Sequence, residues 1–301
     1  MIIRKITVAY FSPTGNVKKA ALKIGEAAAG VFEKTISSCV RDAVLLASGK
    51  IKGFDEFDFL KPDERETYGE KELRFGSDEL LIIGLPVFAG RLPNKILPFV
   101  QNAFKGDRTP CIPFVCYGNR SFDDGLAELV MEMRNNGFIV CGGGAIVSEH
   151  SFCHELAPGR PDYFDLLFIS RYAMKVCELI KEADSSDDLL QIDRSLDVPG
   201  NMPPGPYYTP LKEDGTPAKF LKAKPKTDLD KCDKCMDCVS VCPFGSISHE
   251  DPSDVPGICI KCQACIKVCH SGAKYFDDED FLSHIACLAA GYAERKESYF
   301  L

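Results

Sequence analysis

The 301-residue sequence has no tryptophan, no long unbroken apolar run and no excess of positive charge. Each absence excludes something. Without an indole, aromatic packing on a flat ligand has to come from Phe or Tyr. The longest mostly apolar stretch, Leu80 to Gly90, contains Pro86 and is far too short to span a bilayer. The N-terminus, Met1-Ile2-Ile3-Arg4-Lys5, lacks an apolar h-region and passes straight into strand-like alternation. The expectation is a cytoplasmic chain with no signal peptide and no membrane span. Lys and Arg number 36 against 44 Asp and Glu, a net charge of −8, which argues against coating nucleic acid.

What is present is enough for a folded core, at 45% hydrophobic and 27% charged residues, and the length suggests two domains. Fifteen cysteines stand out, and eight of them fall between Cys232 and Cys269. Dense cysteines in a cytosolic chain point to metal rather than disulfides. Cys111, Cys116 and Cys141 lie in apolar stretches and read as core residues.

Strand-like segments alternate with helical ones over the first 183 residues. Arg4–Phe11 reads as a strand that turns at Ser12-Pro13-Thr14-Gly15-Asn16 into a helix over Val17–Ala29. Residues 31–53 are ambiguous between a prolonged helix and a second one. Further strands are expected at Phe54–Leu60, Glu79–Leu85, Cys111–Tyr117 and Phe138–Val147. Helices are expected at Asn94–Phe104, Asp123–Asn135 and Tyr163–Glu182. Five strands alternating with helices imply an α/β fold, a doubly wound parallel sheet with ligands at the carboxyl ends of its strands.

From 184 to 228 the texture changes to a connector with seven prolines and little periodicity. Its Tyr207, Tyr208 and Phe220 argue that it is ordered and packed on something. Residues 229–301 form the second domain, ending in an amphipathic helix over 277–297 that opens on Asp277, Asp278, Glu279 and Asp280. The stretch 228–301 holds 13 Asp/Glu against 7 Lys/Arg, which is either a solvated face or a surface steered toward a basic partner.

The cysteines form a repeat with a 27-residue period, Cys232-x2-Cys235-x2-Cys238-x3-Cys242-Pro and Cys259-x2-Cys262-x2-Cys265-x3-Cys269. Structural zinc also uses Cys-x2-Cys pairs, but needs neither the third cysteine nor the duplicated x3 offset. Two 4Fe–4S clusters fit the pattern, with the fourth cysteine of each run ligating the other cluster. On that pattern Cys232, Cys235, Cys238 and Cys269 hold one, and Cys259, Cys262, Cys265 and Cys242 the other.

The turn Ser12–Val17, between strand and helix, is either a phosphate site or a plain capping turn. It has neither a Gly-x-Gly-x-x-Gly pattern nor a Lys-Ser/Thr ending, which disfavours NAD or ATP there. The turn resembles the FMN-phosphate loop of flavodoxins. Two later segments, Gly84–Pro93 and Tyr117–Asp124, fall where a flavodoxin holds its isoalloxazine ring. With the cysteine repeat behind it, and a Gly200-Asn201-Met202-Pro203 element between, the whole chain resembles the fused flavodoxin–ferredoxin proteins of anaerobes. The resemblance implies a flavodoxin-like five-stranded sheet followed by a small α+β two-cluster ferredoxin-like domain. It implies FMN, with Ser12, Thr14, Gly15, Asn16 and Val17 on the phosphate. Pro86, Val87, Phe88, Ala89 and Gly90 then lie along the flavin, with Gly118, Asn119, Arg120 and Asp123 near its ring. Phe88 or Phe122 replaces the Trp that long-chain flavodoxins stack on the ring, unless both simply anchor their loops. Arg91 and Arg120 are either surface cations or partners of the reduced flavin's N1–O2 edge. His150, in Ser148-Glu149-His150-Ser151, is the candidate for a proton or redox role, and Cys153 for a reactive thiol.

The expected function is electron transfer between two 4Fe–4S clusters and FMN, with a low-potential ferredoxin or a ferredoxin-linked enzyme as partner. The alternative is a flavin-dependent oxidoreductase acting on NAD(P)H, a quinone or a similar small molecule, under a roof formed by residues 148–160. A homodimer that passes electrons between chains satisfies the same sequence.

Overall fold

A computed structural model describes residues 1–39, 53–69 and 71–301. Part of the ambiguous stretch, residues 40–52, lies outside the described residues.

The apolar runs become strands buried on both faces. β1 (Lys5–Tyr10) lies between β2 (Asp55–Asp58) and β4 (Glu79–Pro86), with Thr7 paired to Asp55 on one side and Leu81 on the other. Next comes β6 (Thr109–Tyr117), buried along its whole length. Beyond it lie β7 (Phe138–Val140) and β8 (Gly144–Val147), which pair in parallel with the two halves of β6. The expected fifth strand is therefore one edge broken at residues 141–143. Pro113, opposite the break, has no N–H to give. Gly143 turns elsewhere: its N–H donates to Tyr172 Oη at 2.8 Å, and its carbonyl accepts from the Leu301 N–H at 3.0 Å. Counted in chain order, the five parallel strands run 2-1-3-4-5, the flavodoxin-like order. A short parallel pair, β3 (Leu73–Phe75) and β5 (Phe104–Gly106), sits apart from this sheet.

Alternation along each strand divides the core. Ile6, Val8, Leu80 and Ile82 face helices α1 (Asn16–Cys39) and α5 (Tyr163–Glu182). Ala9, Leu81, Ile83 and Leu85 face the opposite layer, made by α3 (Leu97–Ala103) and α4 (Gly125–Asn135). The layer rule for parallel sheets is met on both sides. The small helix α2 (Pro62–Gly69) follows β2.

The connector opens with a helix, α6 (Ser186–Ser195), that the proline count concealed. Ser185 and Asp188 cap it reciprocally, and it buries Leu189. The rest is held along its length, with the Tyr208 N–H on the Ala89 carbonyl at 2.8 Å and Tyr207 Oη on the Leu92 carbonyl at 2.8 Å.

The cysteine lobe closes with an antiparallel pair, β9 (Lys226–Thr227) on β10 (Lys274–Tyr275), around the one-turn helices α7 (Asp237–Ser240) and α8 (Ala264–Val268). The terminal helix α9 (Glu279–Gly291) is shorter than expected. After it the chain returns to the first lobe, where β11 (Tyr299–Phe300) adds to the parallel sheet as an antiparallel edge on β8.

Candidate functional site

The loops after β1, β4, β6 and β8 all leave from the carboxyl edge of the sheet. In the first, Gly15 at φ +89° lets the chain turn into α1. A helix leaves its first four N–H groups without intrahelical partners. Lys18 N–H donates to Ser12 Oγ at 2.9 Å, and Lys19 N–H to the Gly15 carbonyl at 3.0 Å. Among the described residues the N–H groups of Asn16 and Val17 have no such acceptor, and Thr14, Asn16 and Val17 line the cleft there. This arrangement fits an anion such as a phosphate.

In the second loop, Phe88 and Arg91 exchange backbone hydrogen bonds of 2.8 and 3.1 Å around Ala89 and Gly90, both left-handed. The turn presents Pro86, Val87 and Phe88 to the cleft. Arg91 is committed beneath it, donating to both carboxylate oxygens of Glu128 at 2.9 and 2.5 Å under the Tyr207 ring. It is a strut between loop and α4, not a free cation.

The third loop divides its predicted residues. Gly118 lies in the cleft, where a Cβ would run into the His150 ring. Arg120 pairs with Asp123 and lies 4.0 Å above the Tyr208 ring, lining a second cavity. Asn119 is used otherwise. Its amide donates to the carbonyls of Tyr292 and Glu294 at 2.7 and 2.8 Å and accepts from Lys296 N–H at 3.3 Å, so it holds the returning segment. Phe122 packs on Tyr117 and Tyr299, ring centroids 5.3 and 6.1 Å apart, which makes Phe88 the aromatic that faces the cleft.

Asp124, Lys261 and His284 have parts at this edge that their motifs do not signal. Asp124 accepts from Asn201 N–H at 2.9 Å and Gly205 N–H at 2.7 Å and so seats the connector's Gly-Asn-x-Pro element. Burial raises its carboxyl, but those N–H groups, the Asn201 side-chain amide and the charge of Arg91 together more than offset it, so it titrates low. Lys261 and His284 come from the cysteine lobe; no spacing signals them.

Within that lobe Cys242, Cys259, Cys262 and Cys265 line one cavity of about 390 Å³. Ser246 N–H donates to Cys242 Sγ at 3.2 Å and Lys261 N–H to Cys259 Sγ at 3.4 Å. The repeat is visible in the backbone: Lys234 and Met236 in the first run, Lys261 and Gln263 in the second, are left-handed at φ 58 to 66°. Non-glycine residues keep such angles only where the surroundings enforce them, and they curl each loop around its sulfurs. Burial pushes the Cys262 and Cys265 thiols up to about 12, so as thiolates they need a bound cation. The donor set fits an iron–sulfur cluster. Cys232, Cys235 and Cys269 sit close enough to Cys238 to raise its thiol, after burial. Cys235 is exposed, whereas Cys262 is buried.

The two lobes meet over the cleft. A cavity of about 460 Å³ is lined by Thr14 and Asn16, Pro86 to Phe88, Gly118, His150 and, from the other lobe, Cys262. A neighbouring one of about 720 Å³ has Phe88, Arg120 and His150 on one side and Ile260, Lys261 and His284 on the other. His150 lines both. Its Nδ1 accepts from the N–H groups of Phe152 and Cys153 at 3.1 and 3.2 Å. Burial, then the charges of His284, Arg120 and His154, pushes its pKa down to about 4, so it is neutral at pH 7.

Models of a 4Fe–4S binding domain match residues 224–247 and 256–272. None of the curated proteins matches the chain. Among solved structures it is similar to a flavodoxin from the domain Archaea, 18% identical, covering 59% of this chain and 99% of that one at a TM-score of 0.36. A flavodoxin, WrbA-like protein from Agrobacterium tumefaciens is 13% identical, with 60% and 98% covered and a TM-score of 0.35. Rubredoxin oxygen:oxidoreductase from Desulfovibrio gigas is 11% identical, with 60% and 37% covered and a TM-score of 0.32. The chain thus joins an α/β lobe of flavodoxin-like strand order to ferredoxin-type 4Fe–4S segments, and no helix among the described residues is long and apolar enough to cross a membrane.

Proposed function

We propose that the chain is an electron-transfer flavo-iron–sulfur protein that binds FMN in the interlobe cleft and two 4Fe–4S clusters in its cysteine lobe. Bound there, FMN supplies chemistry in two-electron or one-electron steps, and each cluster supplies one-electron steps. The observation that carries the reading is Cys262. It belongs to the second cysteine run and lines the same cleft as the Thr14 loop, so one wall serves both cofactors. Thr14, Asn16 and Val17 receive the phosphate; Val87 and Phe88 flank the ring; Arg120 and Lys261 place positive charge beside it. Cys242, Cys259, Cys262 and Cys265 hold the cluster next to the flavin. Cys232, Cys235, Cys238 and Cys269 hold the outer one, and exposed Cys235 marks the face offered to a redox protein. The acidic excess of this lobe suits a basic docking patch on that partner.

The cavity shared by Phe88, Arg120, Lys261 and His284 supports a second reading, in which a small oxidant or reductant docks beside the flavin. One experiment separates the two. Anaerobic holoprotein is mixed with NADH, NADPH or a reduced low-potential ferredoxin, and flavin bleaching and cluster absorbance are followed in time. Reduction by ferredoxin alone supports the carrier; rapid reduction by a nicotinamide overturns it in favour of the oxidoreductase.

A further inference from the structure

Two imidazoles, a partly buried one from the first lobe and a buried one from the cysteine lobe, line the larger cavity, and their hydrogen bonds lock them in opposite tautomers. His150 uses Nδ1 as acceptor for two backbone N–H groups, so its proton is on Nε2. His284, on α9, lies 2.8 Å from the Leu211 carbonyl through Nδ1. A carbonyl only accepts, so the His284 proton is on Nδ1 and its Nε2 carries a lone pair. Among the described residues neither Nε2 has a protein partner, and no fully buried side-chain N or O lacks one; both atoms are therefore accessible, and both residues line the same cavity. The rings are fixed from behind. His284 stacks on Phe220, centroids 5.6 Å apart at 27°, and His150 lies edge-on to Phe152 and against Gly118, where any larger residue would displace it.

We propose that His150 and His284 form a two-point clamp on a planar heterocycle in the interlobe cavity, His150 donating through Nε2–H and His284 accepting through Nε2. The ligand it fits offers a carbonyl or ring-nitrogen acceptor together with an N–H donor, and carries an anionic form that Arg120 and Lys261 favour. The isoalloxazine ring has both groups, so the inference rests on the flavin reading above and deepens it. Recognition is then divided: the first loop reads the phosphate, whereas the two histidines read the ring. Because His284 comes from the cysteine lobe, the ring is gripped fully only with that lobe seated.

The test titrates FMN and riboflavin into flavin-depleted, cluster-loaded protein under anaerobic conditions and reads the quenching of flavin fluorescence. His150→Asn keeps an acceptor near Nδ1 and loses the donor. His284→Asn keeps the bond to Leu211 and loses the acceptor. Each is expected to weaken FMN and riboflavin alike by about tenfold, the loss of one buried hydrogen bond. His150→Gln, whose amide nitrogen overlays Nε2, is expected to stay within about threefold of the unmodified chain. Thr14→Val is expected to weaken FMN and leave riboflavin unchanged. Iron content and cluster absorbance report that each variant is folded. Histidine variants that bind both flavins as the unmodified chain does, or lose FMN but not riboflavin, overturn the clamp alone. An unmodified chain that takes up neither flavin overturns the functional reading and the clamp together.

Discussion

Lys267 Nζ stands 3.3 Å from Glu149 Oε1, an ion pair that joins the helix of the second cysteine run to the loop after β8. The two ends of this pair carry unequal weight. Lys267 is half exposed, but Glu149 also accepts from Gly159 N–H at 2.9 Å and lies 2.9 Å from His154 Nδ1. Lys267→Ala is therefore expected to cost about 0.5 kcal/mol. Glu149→Ala, which loses the Gly159 and His154 contacts as well, is expected to cost about 1 kcal/mol. Urea midpoints for the two variants check the ranking; equal losses would contradict it.

The cysteine sets predict separable cofactor losses. Cys242→Ser is expected to remove or convert the cluster beside the cleft, and Cys235→Ser the outer one, with FMN retained in both. Iron analysis and low-temperature EPR of the reduced protein distinguish them. Loss of both clusters and the flavin from either variant would contradict the ligand sets.

Asn119 is the principal anchor of residues 292–296 through three hydrogen bonds to backbone. Asn119→Ala is expected to destabilise the chain by about 2–3 kcal/mol and to raise amide exchange in residues 292–301 before it affects β1 or β4. Hydrogen exchange read by mass spectrometry checks the order.

The neutral state of His150 gives stability a pH dependence of known sign. The unfolded histidine takes a proton near pH 6.5, while the buried one, held down mainly by burial, refuses it until about pH 4. Stability is therefore undiminished above pH 6.5, falls as pH drops from 6.5 to 4, and levels off below that, by on the order of 3 kcal/mol. His150→Gln is expected to flatten this limb. Denaturant midpoints at pH 7 and 5 for both chains measure it, and parallel limbs would refute the assignment.

Much of this architecture is legible in the sequence, for identifiable reasons. Strands such as Leu80–Leu85 are apolar on both faces because helices cover both, and their parallel direction follows from simple alternation, whereas the 2-1-3-4-5 order does not and is implied only by the resemblance. The cysteine repeat is legible because cluster ligation fixes spacing within a few residues. What stays hidden depends on partners far along the chain. Tyr299 and Phe300 form a two-residue strand that depends on the open edge of β8, some 150 residues earlier, and on ring contacts with Phe122 and Tyr172. Asn119 sits in a flavin-type loop, but the carbonyls it serves are distant. His284 looks like any helical histidine until Leu211 sets its tautomer. For α6 a signal existed, Ser185 followed three residues on by Asp188, but the surrounding acidic and proline-rich composition masked it.

The return of the chain to β8 ties the cysteine lobe to its own sheet twice, through the connector and through β11. Exchange of lobes between two copies would have to withdraw both attachments. On the electron-transfer reading proposed above, transfer between the cysteine lobe and the cleft is expected to be first order in protein: a hundredfold dilution of the reduced chain leaves the internal rate constant unchanged, and a rate that falls with dilution would point to transfer between chains.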